Sequence, residues 1–171
     1  MPKYKKKITK LMDYKEFKRG IQYLSIMERA FMSVLFFTGC RVSEATALTD
    51  RDITHSEEMV YIQFHRLKGS KQTDPQEIPN AESLGWICKQ EGKIFPFSRF
   101  RGNRIVKKAF PHLYPHYFRM NRITKIANEF SDATVYHLFG ITASSIDHYR
   151  AKVDTKRVGE ALRKEIGDVN E

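Results

Sequence analysis

Residues 25–39, SIMERAFMSVLFFTG, spell a helix with almost no polar face. Ser25 followed three residues later by Glu28 has the spacing of a capping box, in which hydroxyl and carboxylate each satisfy a free N–H at a helix start. Ile26, Ala30, Val34 and Phe37 recur at helical spacing, and Phe31, Leu35 and Phe36 widen the apolar surface beyond a stripe. Gly39 suits the left-handed turn that ends a helix. A helix this apolar has no face for solvent, which predicts a central element that the rest of the chain wraps. At 171 residues the chain reads as one domain and is long enough to bury such a core.

The elements around it can be placed from local signals. Asp13 with Glu16 repeats the capping spacing and opens an earlier helix. Past Gly39, Ser43 starts a short helix through Ala47 and Leu48. Residues 59–65, MVYIQFH, alternate Val60, Ile62 and Phe64 against Tyr61, Gln63 and His65, the period of a half-buried strand. KGSKQTDP and then QEIP follow, predicting a hairpin with a long basic tip and a short return strand. Asn80 to Gln90 predicts a helix and IFPF at 94–97 an extended piece. Three helices are expected after that: about 99–109, about 115–129 with Pro115 at its start, and SDATVYHLFG, opened by Ser131 or Asp132 and closed by Gly140. A last helix begins near Ser144, passes Tyr149 and continues toward Lys164. The expected fold class is α+β, predominantly helical, with one small antiparallel β-sheet.

Charge narrows the function. Apolar residues at 41% and charged residues at 29% are ordinary for a globular protein, but 30 Lys+Arg against 20 Asp+Glu leave a net +10. The first twenty residues carry eight basic and two acidic side chains, and the stretch 92–128 carries nine basic and none acidic. Charge gathered in two blocks suggests a face for a polyanion, nucleic acid first; a basic but passive surface is the alternative. No apolar run approaches the ~18 residues of a membrane span, and MPKYKKKITK lacks the apolar stretch of a secretory signal. Cys40 and Cys88 do not make a disulfide framework, and no Cys/His spacing fits zinc. The expectation is a cytoplasmic protein with reduced thiols and no structural metal.

A nucleic-acid partner directs attention to phosphodiester chemistry. Its transition state spreads negative charge over the non-bridging oxygens, which the planar, permanently charged fork of arginine answers best. A nucleophile and a proton donor for the leaving oxygen complete the requirement. Arg41 lies just past the apolar helix, with Glu44 one turn on to orient it. Lys68 and Lys71 lie in the hairpin tip. His116 and Arg119 share one face of the first turn of a helix, whose free N–H groups favour an anion. Each has a plain reading too: a surface ion pair, solvated turn lysines, a capping histidine beside a surface arginine. Arg99, Arg101 and Arg122, from the second basic block, join Lys71 as candidate DNA contacts.

In order, TGCRVSEATAL, KGSK, HYFR and a tyrosine some thirty residues later resemble the catalytic domain of the tyrosine recombinases, the phage integrases and Xer-type resolvases. The resemblance runs from about Ser25 to Ala151. TGCRVSEATAL fits the family's T-G-x-R-x-S-E-x-x-x-L at every fixed position, PHYFRMNRITKIAN fits its H-x-x-R helix, and HLFG fits its L-G element more loosely. The resemblance implies a tyrosine recombinase catalytic-domain fold and roles residue by residue. Arg41 and Arg119 would clamp the scissile phosphate, with Glu44 behind Arg41. Lys68, or else Lys71, would protonate the departing 5′-oxygen. His116 would hydrogen-bond the phosphate or assist proton transfer, and Tyr149 would attack phosphorus to give a 3′-phosphotyrosyl link. Metal, cofactor and small-molecule ligand would not be needed, since the arginines and lysine supply the positive charge.

The implied partner is double-stranded DNA at an attachment or resolution site, with assembly into a tetramer on DNA. Residues 1–24 would be a basic arm and first helix, 25–151 the catalytic domain, and 152–171 a C-terminal helical tail for subunit exchange. Val158, Leu162 and Ile166 give that tail an apolar stripe at helical spacing. Two departures stand out. Ile141 follows Gly140 where the family usually has His or Trp, and the Gly-to-Tyr spacing, nine, is one short. Few residues precede the catalytic region, so the chain is either an excised domain or a minimal recombinase whose basic arm replaces the usual N-terminal domain. Two other readings stay open: a DNA-binding regulator with this fold and weak or no catalysis, and a type IB topoisomerase-like nicking-closing enzyme.

Overall fold

The computed structural model describes residues 10–65, 73–146 and 149. Helix α1 (Tyr14–Ile21) starts at Asp13, whose carboxylate accepts the Glu16 amide at 2.7 Å. Helix α2 (Ile26–Thr38) carries both halves of its capping box: Glu28 N–H donates to Ser25 Oγ at 3.3 Å and Ser25 N–H to Glu28 Oε2 at 3.0 Å. It ends at Gly39 in the left-handed conformation, φ 63°. Eight of its thirteen residues are buried, so α2 is the predicted central helix. Helix α3 (Val42–Thr46) follows at once.

The sheet has three antiparallel strands in the order β1 (Ile53–His55), β2 (Met59–Ile62), β3 (Gln76–Pro79). Val60 opposite Ile78, with Ile62, gives it a buried face. Helices α4 (Arg99–Ala109), α5 (His116–Glu129), α6 (Asp132–Phe139) and α7 (Ala143–Ile146) complete the described chain. Helix α2 touches α1, α3, α4, α5 and β3. Aromatic rings fill the space around it: Phe17 stacks on Phe36 at 4.1 Å, and Phe31 meets Phe95 and Phe97 edge-on.

A second, smaller cluster joins Ile123, Ile126 and Ala127 of α5 to Val135 and Phe139 of α6 and Ile146 of α7. Leu138, Ile141 and Tyr149 pack against it. Helix α5 links the two clusters, contributing Phe118 to the larger and Ile123 to the smaller. Among the described residues no helix is long and apolar enough to cross a membrane.

Three local expectations need correction. Residues 80–90 form two single 3₁₀ turns, Glu82–Leu84 and Ile87–Lys89, and not a helix. Leu84 ends the first turn and Ile87 begins the second, both buried, and the Ser83 hydroxyl is bound to Ser33 of α2 at 2.7 Å. The strand expected over 59–65 stops at Ile62: Gln63 N–H still donates to Asp52 O in register, but Asp52 N–H turns to Thr49 O in the 3₁₀ turn before β1 and cannot complete the pair. The hairpin also gains a third strand, β1. The hairpin tip with Lys68 and Lys71, and the tail 152–171, lie outside the described residues.

Candidate active site

Arg41 occupies the position before the first turn of α3, and Glu44 holds it twice. The Arg41 N–H donates to Glu44 Oε2 at 2.7 Å and its guanidinium to Oε1 at 2.9 Å. Glu44 is almost wholly buried while the Arg41 side chain is 45% exposed. A buried carboxylate thus fixes both the backbone and the side chain of an arginine that faces solvent, the arrangement needed to present a guanidinium to an outside anion.

Arg119 is built differently. It is 2% exposed, and its two terminal nitrogens donate to Gly39 O at 3.0 Å and Phe139 O at 3.1 Å. These are carbonyls at the C-terminal ends of α2 and α6, where helix carbonyls lack partners and the helix dipoles are negative. One guanidinium therefore closes two helices. Its carbon also sits 5.6 Å from the Phe139 ring centroid.

The other terminal carbonyls of α6 are taken in turn. Gly140 N–H donates to Tyr136 O, and Asp74 N–H to His137 O at 3.3 Å. The Gln76 amide reaches Leu138 O at 3.5 Å. Asp74 and Gln76 belong to the returning side of the hairpin whose tip carries Lys68 and Lys71. The last turn of α6 is therefore a junction: it receives Arg119, anchors the hairpin, and lends Leu138 and Phe139 to the cluster on which Tyr149 rests. Tyr149 is half-buried, and its N–H donates to Ile146 O at 2.8 Å.

His116 is the first residue of α5 and is exposed. Desolvation on its protein-facing side, then the charges of Arg119 and Arg41, hold its imidazole below the usual histidine value. Arg119 bonds Gly39 O, two residues before Arg41, and His116 stands one turn before Arg119 on α5, so the three basic groups lie close together. Cys40 is buried beside Arg41: burial pushes its thiol up to about 12, the Thr38 hydroxyl and Arg119 opposing the rise and Glu44 adding to it. Such a thiol is packing, not a nucleophile.

The expected DNA contacts are spread out. Arg99 and Arg101 are exposed at the start of α4, with Arg101 5.7 Å from the Phe97 ring centroid. Arg122 is half-buried against Gly39, and its Nε is buried without a hydrogen-bond partner among the described residues. Burial holds its guanidinium below the usual value. Among the described residues no three His, Cys, Asp or Glu side chains gather to hold a metal ion. Sequence reasoning did not reach Asp74, Gln76 or the carbonyls of Gly39 and Phe139. Their partners are distant in sequence, and a carbonyl carries no residue signal.

No family model and no curated protein matches the sequence. Solved structures do match the fold. A crystal structure of XerA recombinase has a TM-score of 0.59 at 19% identity, over 94% of this chain and 65% of that one. XerH site-specific recombinase bound to difH substrate, a pre-cleavage complex, has a TM-score of 0.64 at 19% identity, over 92% of this chain and 55% of that one. The catalytic domain of bacteriophage HP1 integrase has a TM-score of 0.55 at 17% identity, over 87% of this chain and 93% of that one. The chain thus spans 55% to 65% of the two Xer proteins and nearly all of the isolated integrase domain. Its helices and its small antiparallel sheet belong to one architecture: the chain has the fold of the tyrosine recombinase catalytic domain.

Proposed function

We propose that the chain is the catalytic part of a site-specific DNA recombinase, an integrase or resolvase that cuts and rejoins DNA through a 3′-phosphotyrosyl intermediate. The observation that carries this reading is the Arg119 guanidinium bonded to Gly39 O, two residues before Arg41, and to Phe139 O, with His116 one turn before it on α5 and Tyr149 packed against the cluster that Phe139 joins. A scissile phosphate bound there would be held by Arg41 from the solvent side and by Arg119 from the protein side. Tyr149 Oη would attack phosphorus, passing its proton to His116 or to water, and the 5′-oxygen would leave with a proton from Lys68. The tyrosine–phosphate bond keeps the energy of the cut bond, so a second 5′-hydroxyl can reverse the step without ATP. Residues 25–151 would be the catalytic unit, with Arg99, Arg101, Arg122 and Lys71 on DNA. The tail 152–171 would couple subunits of a tetramer in the cytoplasm.

A second reading has its own observation. Ile141, standing where the family usually places His or Trp, packs into the small apolar cluster and offers the phosphate nothing. A DNA-binding regulator with this fold would tolerate that. The separating experiment is incubation of the full chain with nicked duplexes selected by the protein from a random pool, followed by a denaturing gel. A covalent band supports the recombinase. Binding without any band supports the regulator.

A further inference from the structure

One side chain ties three chain segments together at the end of the small sheet. The β1–β2 ladder ends with Ile53 opposite Ile62, and the β2–β3 ladder with Ile62 opposite Gln76. Gln63, the next residue, carries the join onward on both sides. Its N–H donates to Asp52 O at 2.9 Å, and its side-chain amide donates to Phe64 O at 3.3 Å and Thr73 O at 3.0 Å. A half-buried glutamine thus replaces a rung where regular backbone pairing has stopped.

His65, two residues on, is held as well. Its Nε2 lies 2.6 Å from Asp52 Oδ1, while Asp52 Oδ2 accepts the Thr49 N–H at 2.8 Å and the Thr49 hydroxyl at 2.9 Å. The His65 side chain is 69% exposed and that of Asp52 7%. The pattern is that of Arg41 and Glu44, in which a buried carboxylate fixes an exposed basic side chain. On the returning side Thr73 is buried, and Asp74 N–H donates to His137 O.

His65 and Thr73 are the described residues on either side of 66–72, the segment RLKGSKQ that carries Lys68 and Lys71. Both flanks of that segment are therefore tethered, His65 to Asp52 and Thr73 to Gln63. Fixing the ends of a short chain restricts where the residues between them can go. A reacting group misplaced by about 1 Å can lose ~10²-fold in rate.

We propose that Gln63, His65 and Asp52 are positioning residues for the proton donor of strand cleavage, acting by fixing the two chain ends between which it lies. The proposal rests on the reading above that a lysine of this segment is that donor, and adds the groups that hold its flanks. In the step concerned Tyr149 Oη bonds to phosphorus, the bond from phosphorus to the 5′-oxygen breaks, and that oxygen takes the lysine's proton. A bridging sulfur in its place leaves as a thiolate and needs no proton, because a thiol is far more acidic than an alcohol.

The test uses the full chain and a nicked duplex selected from a random pool, synthesised with either oxygen or sulfur at the 5′ bridging position. Gln63→Leu and His65→Ala are expected to slow cleavage of the oxygen duplex at least ~10-fold and to cleave the sulfur duplex within about 3-fold of the parent. His65→Ala removes an exposed side chain, so its melting temperature should stay close to the parent's, and it decides the case if Gln63→Leu does not fold. Equal slowing of His65→Ala on both duplexes, or its parent-like rate on the oxygen duplex, overturns the positioning role and leaves the recombinase reading intact. A parent chain that cleaves neither duplex overturns both.

Discussion

The carbonyl oxygen of Phe139 accepts a hydrogen bond from Nη2 of Arg119 at 3.1 Å, closing α6 with a side chain from α5. Nη1 of the same guanidinium closes α2 at Gly39. Arg119 is therefore a structural tie and a candidate phosphate ligand at once, whereas Arg41, 45% exposed beside its buried carboxylate, is mainly the latter.

Arg119→Ala should accordingly lose stability as well as rate. Two buried carbonyls and two helix ends would be left without their partner, a cost of roughly 2–4 kcal/mol. Urea unfolding measures it. Arg41→Ala should unfold at clearly higher urea than Arg119→Ala, while both lower the cleavage rate by at least ~10²-fold. Equal midpoints for the two variants would mean that Arg119 does not tie the helices.

Gly39→Ala should damage the site without touching any proposed catalytic side chain. At φ 63° an L residue is strained, and its Cβ would meet Arg122 Cβ at 2.8 Å and Phe139 Cε1 at 3.3 Å. The expected loss is about 1–3 kcal/mol, read by thermal or urea unfolding. Because the Gly39 carbonyl moves with the cap, cleavage should slow at temperatures where the variant is still folded. A parent-like rate would separate the cap from the chemistry.

His116 should make the fold acid-sensitive. Its folded value is depressed, so as pH falls below the ordinary 6.5 the unfolded chain takes up the proton first. Stability is therefore constant above that value and is lost as pH drops from it toward the folded value. His116→Gln should flatten this part of the profile. An anion bridging Arg41 and Arg119 would offset their repulsion, so saturating inorganic phosphate at constant ionic strength should raise the His116 value seen by proton NMR. No upward movement would place the anion site elsewhere.

The legible parts of this fold were those with local causes. Ser25, Glu28 and Gly39 mark the ends of α2 within one or two residues, and its apolar run forecast its burial. Over Asn80–Gln90 the sequence carries no signal that separates one α-helix from the two 3₁₀ turns Glu82–Leu84 and Ile87–Lys89, and the Ser83 hydroxyl is bound to Ser33 of α2. Strand β1 was silent because three residues, two of them exposed, carry no alternation. It exists by pairing with β2. At the site, Arg41 with Glu44 could be read because they are one turn apart. Arg119 with Gly39 and Phe139 could not, since those partners lie 80 and 20 residues away.

The central claim is that Tyr149 is the nucleophile of a DNA strand transfer, and the most direct measurement is mass mapping of the covalent adduct. The parent chain is incubated with a nicked duplex chosen from a random pool, digested with protease and nuclease, and its peptides are weighed. The account predicts a nucleotide 3′-phosphate on Tyr149, no adduct in Tyr149→Phe, and duplex affinity within a few-fold of the parent. An adduct on another residue, or one that survives in Tyr149→Phe, would contradict it.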